Sequence, residues 1–196
     1  MTRLLQPRIL GLLIAFLFII GSLLMGYLLE NYSFYSQTLS EIGSLSTPMK
    51  IPFQVLKIVV AILILLLSAS LLNLARRNNF SVIPTLFLFA YGLSDLGLAL
   101  FPTPHPLHNV FGLSLILGYL SPFFFGILWP NKVATNFRAV SLLFFALIIL
   151  GIFLNLSPIF RPDLYPLSYY GIVQRFLVFS FLIYLAYLGS AVQSRN

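Results

Sequence analysis

Residues 82–128 read VIPTLFLFAYGLSDLGLALFPTPHPLHNVFGLSLILGYLSPFFFGIL. Two apolar runs, Val82–Leu100 and Leu107–Leu128, each come close to the roughly 20 residues that a helix needs to cross about 30 Å of hydrocarbon. The connection between them, Phe101–His105, is short and proline-rich, which leaves no length for a crossover and predicts a hairpin of packed neighbours. Pro106 suits a helix start, where its missing N–H would have no partner in any case.

Four further runs of the same kind occur, at about Arg8–Leu29, Pro52–Leu74, Arg138–Leu156 and Gly171–Leu188. Hydrophobic residues make up 60% of the chain, charged residues 8%, and the mean hydropathy is +1.01. A soluble domain carries roughly a quarter charged residues, so most of this surface has lipid as its solvent. The reading is an all-α polytopic bundle of six transmembrane helices forming one domain over residues 1–196. The first run is too long for a signal-peptide core and no small-residue cleavage site follows it, so it reads as a retained anchor.

The net charge of +7 gathers into no basic stripe, which argues against nucleic acid as a partner. Topology accounts for it better. Arg3, Arg8, Arg76, Arg77, Lys132, Arg138 and Arg195 fall on the side of the termini, against Lys50, Lys57, Arg161 and Arg175 on the other. By the positive-inside rule both termini are cytoplasmic. The acids Glu30, Glu41, Asp95 and Asp163 then lie on the outer side or in the outer half of a helix. The chain has no cysteine, which excludes disulfides, thiolate metal sites and cysteine nucleophiles. Small-residue pairs at Ser22/Gly26, Ala90/Ser94 and Ser114/Gly118 are spaced for close helix contact within the bundle.

Three elements carry the chemistry. Asp95 lies roughly 9 Å below the outer end of its helix at about 1.5 Å per residue, where an ionised carboxylate requires a partner. Tyr91 is one turn back, and Arg175 or Lys57 offers an ion pair. His105 and His108 flank the start of the fourth helix. The helix dipole there disfavours imidazolium, and a neutral ring serves as base, relay or metal ligand. With Asp95 the two histidines form a candidate metal set, although two histidines alone define no site. Thr38-x-x-Glu41 in the first outer connection fits a capping box with Gly43 ending a short helix. The alternative folds Ser40 and Glu41 over the bundle mouth toward Asp95 and His108. The candidate outer pocket is therefore Ser40, Glu41, Tyr91, Asp95, His105, His108 and Arg175, with Glu41, Asp95 and His108 sharing it.

Tyr35-Ser36-x-x-x-Leu39-Ser40-Glu41-Ile42-Gly43 resembles the Ser-Glu-Leu-Gly box of the DUF998 family of bacterial and archaeal membrane proteins. The stretch from Gly92 through Asp95 and Phe101-Pro102 to His108 is similar to its second signature. Ile42 stands where the family has leucine, and Thr103 where an acid commonly follows Phe-Pro. The resemblance implies a fold, a family and a prokaryotic cytoplasmic membrane, and no reaction. Two function classes compete on the residues. One is binding or transport of a small solute or lipid in an outward pocket, or a role in membrane assembly. The other is a membrane-embedded, metal-dependent hydrolase acting on a lipid or headgroup. No cofactor motif is present, and the oligomeric state is open.

Overall fold

A computed structural model of the chain describes residues 6–193. Arg3 and Arg195 of the basic bias, and the side chain of Lys132, lie outside the described residues. The helices are α1 (Pro7–Tyr27), α2 (Leu39–Ile42), α3 (Lys50–Arg77), α4 (Ile83–Leu100), α5 (Pro106–Tyr119), α6 (Ser121–Leu128), α7 (Phe137–Phe160) and α8 (Tyr170–Gln193). They supply six spans long and apolar enough to cross a membrane, α5 and α6 together making one of them. Among the described residues there is no strand.

The spans form a ring: α7 packs on α8, α8 on α1, α1 on α3, α3 on α4, and α4 on α5, while α6 returns to α7. With no hydrophobic force between helices in lipid, close backbone approach and van der Waals fit hold such a ring together. Glycine permits the closest approach. A Cβ at Gly11 would overlap the Leu185 carbonyl oxygen, and one at Gly189 would overlap that of Pro7, so α1 and α8 lie antiparallel in direct backbone contact. The α4–α5 hairpin forms as its short turn predicts. Ser114 Oγ donates to Ser94 Oγ at 2.8 Å across it, and Gly118 lies against the Cβ of Tyr91. Facing outward are large apolar groups such as Phe16, Val55, Leu113 and Phe153, as a lipid-facing surface requires.

Two proline positions revise the expected spans. The fourth is not one uninterrupted helix, because regular structure breaks at Leu120 between α5 and α6. Pro122 has no N–H to offer and its ring crowds the carbonyl four residues earlier. Conversely α7 runs through Pro158 to Phe160 rather than ending near Leu156. Pro158 cannot satisfy the Leu154 carbonyl. That oxygen instead accepts from Ser157 Oγ at 2.8 Å and from the Tyr165 hydroxyl at 3.0 Å.

The ring has two ends. At one lie the described chain ends and the connections 78–82 and 129–136. There α6 closes against α7: Arg138 Nε donates to the Gly126 carbonyl at 3.2 Å. At the other end, called the loop end below, lie the connections 28–49, 101–105 and 161–169. There α5 leans on α4 and makes no extended contact with α7.

Candidate functional site

Arg175, in α8, organises the loop end. Its guanidinium donates to the carbonyls of Phe34 (2.9 Å), Gln37 (2.8 Å) and Gly171 (2.9 Å), and to the Tyr32 hydroxyl. The rings of Phe34 and Tyr32 lie 5.1 and 5.5 Å from it. A nearly buried cation is thus held by carbonyl dipoles and aromatic faces instead of an acid. Burial raises the Tyr32 phenol above its ordinary value, with the neighbouring guanidinium opposing part of that rise. Gly171 is required here. A Cβ would meet the carbonyl oxygens of Gln37, Phe34 and Tyr35, which cross directly over the start of α8.

Thus tethered, the first connection carries α2 across the bundle mouth. The Thr38 N–H donates to Glu41 Oε2 at 2.5 Å and its hydroxyl donates to the same oxygen at 2.7 Å, completing the capping box. Glu41 is held in its own helix. Leu39 and Ile42 are buried beneath it.

Below α2 is a cavity of about 540 Å³, within the roughly 300–1,000 Å³ of small-molecule sites. Val60, Leu115, Ile152, Leu177 and Leu182, each seven or more residues in from the loop end of its helix, wall its deeper part. At its base Tyr91 packs on Phe181 and Tyr119, with ring centroids 4.3 and 5.3 Å away. At its mouth stand Ser40, Lys57, Asp95 and His108. Lys57 Nζ lies 3.1 Å from Asp95 Oδ1, with only 13% and 8% of the two side chains exposed. Ser40 Oγ is 3.0 Å from Thr38 Oγ1. His108 Nδ1 is 2.9 Å from the Phe101 carbonyl oxygen. A carbonyl only accepts, so in the neutral ring Nδ1 carries the hydrogen and Nε2 is left as an acceptor.

Neutral amides complete the mouth, and attention to ionisable residues alone overlooked them. Gln174 Oε1 accepts from the Leu39 N–H at 2.6 Å, which fixes the amide orientation and leaves its amino group a donor without a protein partner. Asn155 Oδ1 accepts from the Tyr170 hydroxyl at 3.1 Å, while its Nδ2 is buried without a partner. Gln54 and Asn109 also line the space. The available signal was an amide near the loop end of each of four apolar runs, Gln54, Asn109, Asn155 and Gln174.

The structure therefore brings Ser40, Tyr91, Asp95 and His108 to one cavity. It does not bring Glu41, His105 or Arg175 to its lining. Asp95 takes Lys57 as partner, while Arg175 is engaged by the loop. His105 serves as N-cap of α5, its Nδ1 accepting from the Leu107 N–H at 3.2 Å, and its ring lies 4.9 Å from that of Phe101. Among the described residues no group of three or more His, Cys, Asp or Glu is placed to hold a metal ion.

A six-span helical bundle of this composition is an integral membrane protein. The family model for DUF998, described as a protein of unknown function, matches residues 12–191; the chain belongs to that family. No curated protein and no solved structure matches it.

Proposed function

We propose that this protein binds one amphipathic lipid-class molecule in the cavity, its chain among the apolar walls and its headgroup at the polar mouth. The observation that carries this reading is the division of the lining. Charged, imidazole and amide groups come from the loop ends of α3, α4, α5, α7 and α8, and the walls below them are aliphatic and aromatic, with the hydroxyls of Tyr91 and Tyr119 at the base. From His108 to Tyr119 the space follows α5 for about 16 Å at ~1.5 Å per residue, a depth suited to a single alkyl chain. Leu113 and Ile116 are cavity-lining residues exposed on α5. They border the loop-end gap between α5 and α7, which gives a molecule in the bilayer a lateral way in. With both termini cytoplasmic, that gap faces the outer leaflet. A photoreactive alkyl chain incorporated into the surrounding membrane tests this. Labelling should concentrate on Leu115, Ile152 and Leu182, and labelling confined to outward residues such as Val110 and Phe153 would refute the reading.

A further inference from the structure

The charges and hydrogen-bonding groups at the mouth select among headgroups; this step rests on the binding reading above. Lys57 and Asp95 are the only formally charged residues lining the cavity among those described, and at 3.1 Å they neutralise one another. Arg175 is committed to loop carbonyls. Arg161 is exposed beside Asp163. Lys50, at the first position of α3, does not line the cavity, so a phosphate or carboxylate headgroup seated within it would find no free cation among the lining residues. Drawing Lys57 away would strand the Asp95 carboxylate in a nearly buried position, the costly way to break such a pair.

The neutral groups, by contrast, are directional, each with one polar atom held by the protein and another left to a ligand. Gln174 offers an amino donor from α8, since its oxygen holds Leu39. His108 offers Nε2 as an acceptor from α5, since its Nδ1 holds Phe101. Beside them the Asn155 amino group is buried without a partner. A donor on one wall and an acceptor on another match a headgroup with both an ether or ester oxygen and a free hydroxyl.

We infer that the ligand is an uncharged, hydroxyl-bearing lipid with the chemistry of an acylglycerol, its ester oxygen accepting from Gln174 Nε2 and its hydroxyl donating to His108 Nε2. Leaving either protein group unmatched forfeits a hydrogen bond in a partly buried site, so a mismatched headgroup should bind about tenfold more weakly.

The test is a native mass spectrometric titration of the detergent-solubilised full chain with 1-oleoylglycerol and with oleoyl lysophosphatidate, which share the acyl chain. Two variants keep the structural bond and remove the group offered to the ligand, the second also adding a negative charge. His108→Asn retains a donor for the Phe101 carbonyl and lacks the Nε2 acceptor. Gln174→Glu retains the acceptor for Leu39 and lacks the amino donor. Oleoylglycerol should bind the wild type at least about tenfold more tightly than the phosphate, and each variant should lose about that factor in oleoylglycerol affinity, His108→Asn with its melting temperature unchanged. Equal or tighter binding of lysophosphatidate by the wild type, or an oleoylglycerol affinity untouched by both variants, would overturn the headgroup assignment and leave lipid binding standing. Failure of both probes to occupy the wild type would overturn the binding reading, and this inference with it.

Discussion

Lys57→Met breaks the one ion pair of the cavity, and the structure sets what that should cost. At 3.1 Å and an effective permittivity of about 20, the attraction amounts to about 5 kcal/mol. Withdrawing both ions from water offsets most of it, so the intact pair contributes little net stability. Removing one partner is different, because the surviving charge keeps its desolvation and loses its attraction. Lys57→Met, which leaves the Asp95 carboxylate 6% exposed and alone, should destabilise the fold by about 3–5 kcal/mol. Asp95→Leu should cost a comparable amount by stranding the ammonium, less whatever the longer lysine recovers by reaching the mouth. The double variant, with an apolar pair of similar volume, should return to within about 1 kcal/mol of wild type. Equilibrium unfolding in mixed micelles of rising dodecyl sulfate fraction reads these differences. The single tryptophan, Trp129, is buried at the opposite end, where it reports global unfolding without touching the pair. A double variant as unstable as Lys57→Met, or a Lys57→Met variant without loss, would refute a functioning ion pair.

Arg175→Leu should free the first connection. Hydrogen exchange across residues 32–42 should rise at least about tenfold, corresponding to loss of one or two charge-assisted bonds, while the α1–α8 seam stays protected. Since burial raises the Tyr32 phenol above its ordinary 10.0, the folded state favours the neutral form. That contribution is complete below the unfolded value and is lost as pH rises through the folded one, so protection of the connection should hold to about pH 10 and fall beyond it. Tyr32→Phe should flatten the decline, and an unchanged alkaline loss would place its origin elsewhere. Tyr165→Phe should cost about 0.5–1.5 kcal/mol, and adding Pro158→Ala, which restores the helical N–H donor to the Leu154 carbonyl, should recover it. No difference between the two backgrounds would refute that compensation. Cysteines at Ser46 and Ser168 should react with an impermeant reagent from outside and one at Asn78 should not. The reverse pattern would invert the proposed orientation.

The spans were legible because apolar run length is a one-dimensional property, and six runs emerged within a few residues of six helices. Their ends were less so. The fifth run was bounded at Leu156, yet the helix continues through Pro158 because Tyr165 and Ser157 supply what its ring removes, and a partner eleven residues further along is a tertiary fact. Pro122 sits in an apolar run whose hydropathy hides a broken ladder. At the site, the depth of Asp95 correctly demanded a partner, but choosing Lys57 over Arg175 depended on which helix faces turn inward. Local pattern served better for Glu41, whose capping-box spacing foretold its bond to Thr38. The amides Gln174 and Asn155 went unweighed because neutrality makes them inexpensive in a membrane helix, although two of their oxygens turn out to be held so that donors remain.

Gly112 offers the most direct test of ligand occupancy. It lines the cavity on α5, and a Cβ there would meet only Leu98 Cδ2, at 3.9 Å. The position therefore accepts a Cβ without meeting backbone, Gly112→Phe should direct its ring into the space, and replacing a helix-interior glycine should not weaken α5. Native mass spectrometry of wild type and Gly112→Phe, purified in parallel from the same membranes, compares what each retains. The wild type should carry a stoichiometric lipid-class adduct that the plugged variant lacks at equal melting temperature. The same adduct at the same stoichiometry on both proteins would place the lipid on the outer surface and contradict a binding cavity.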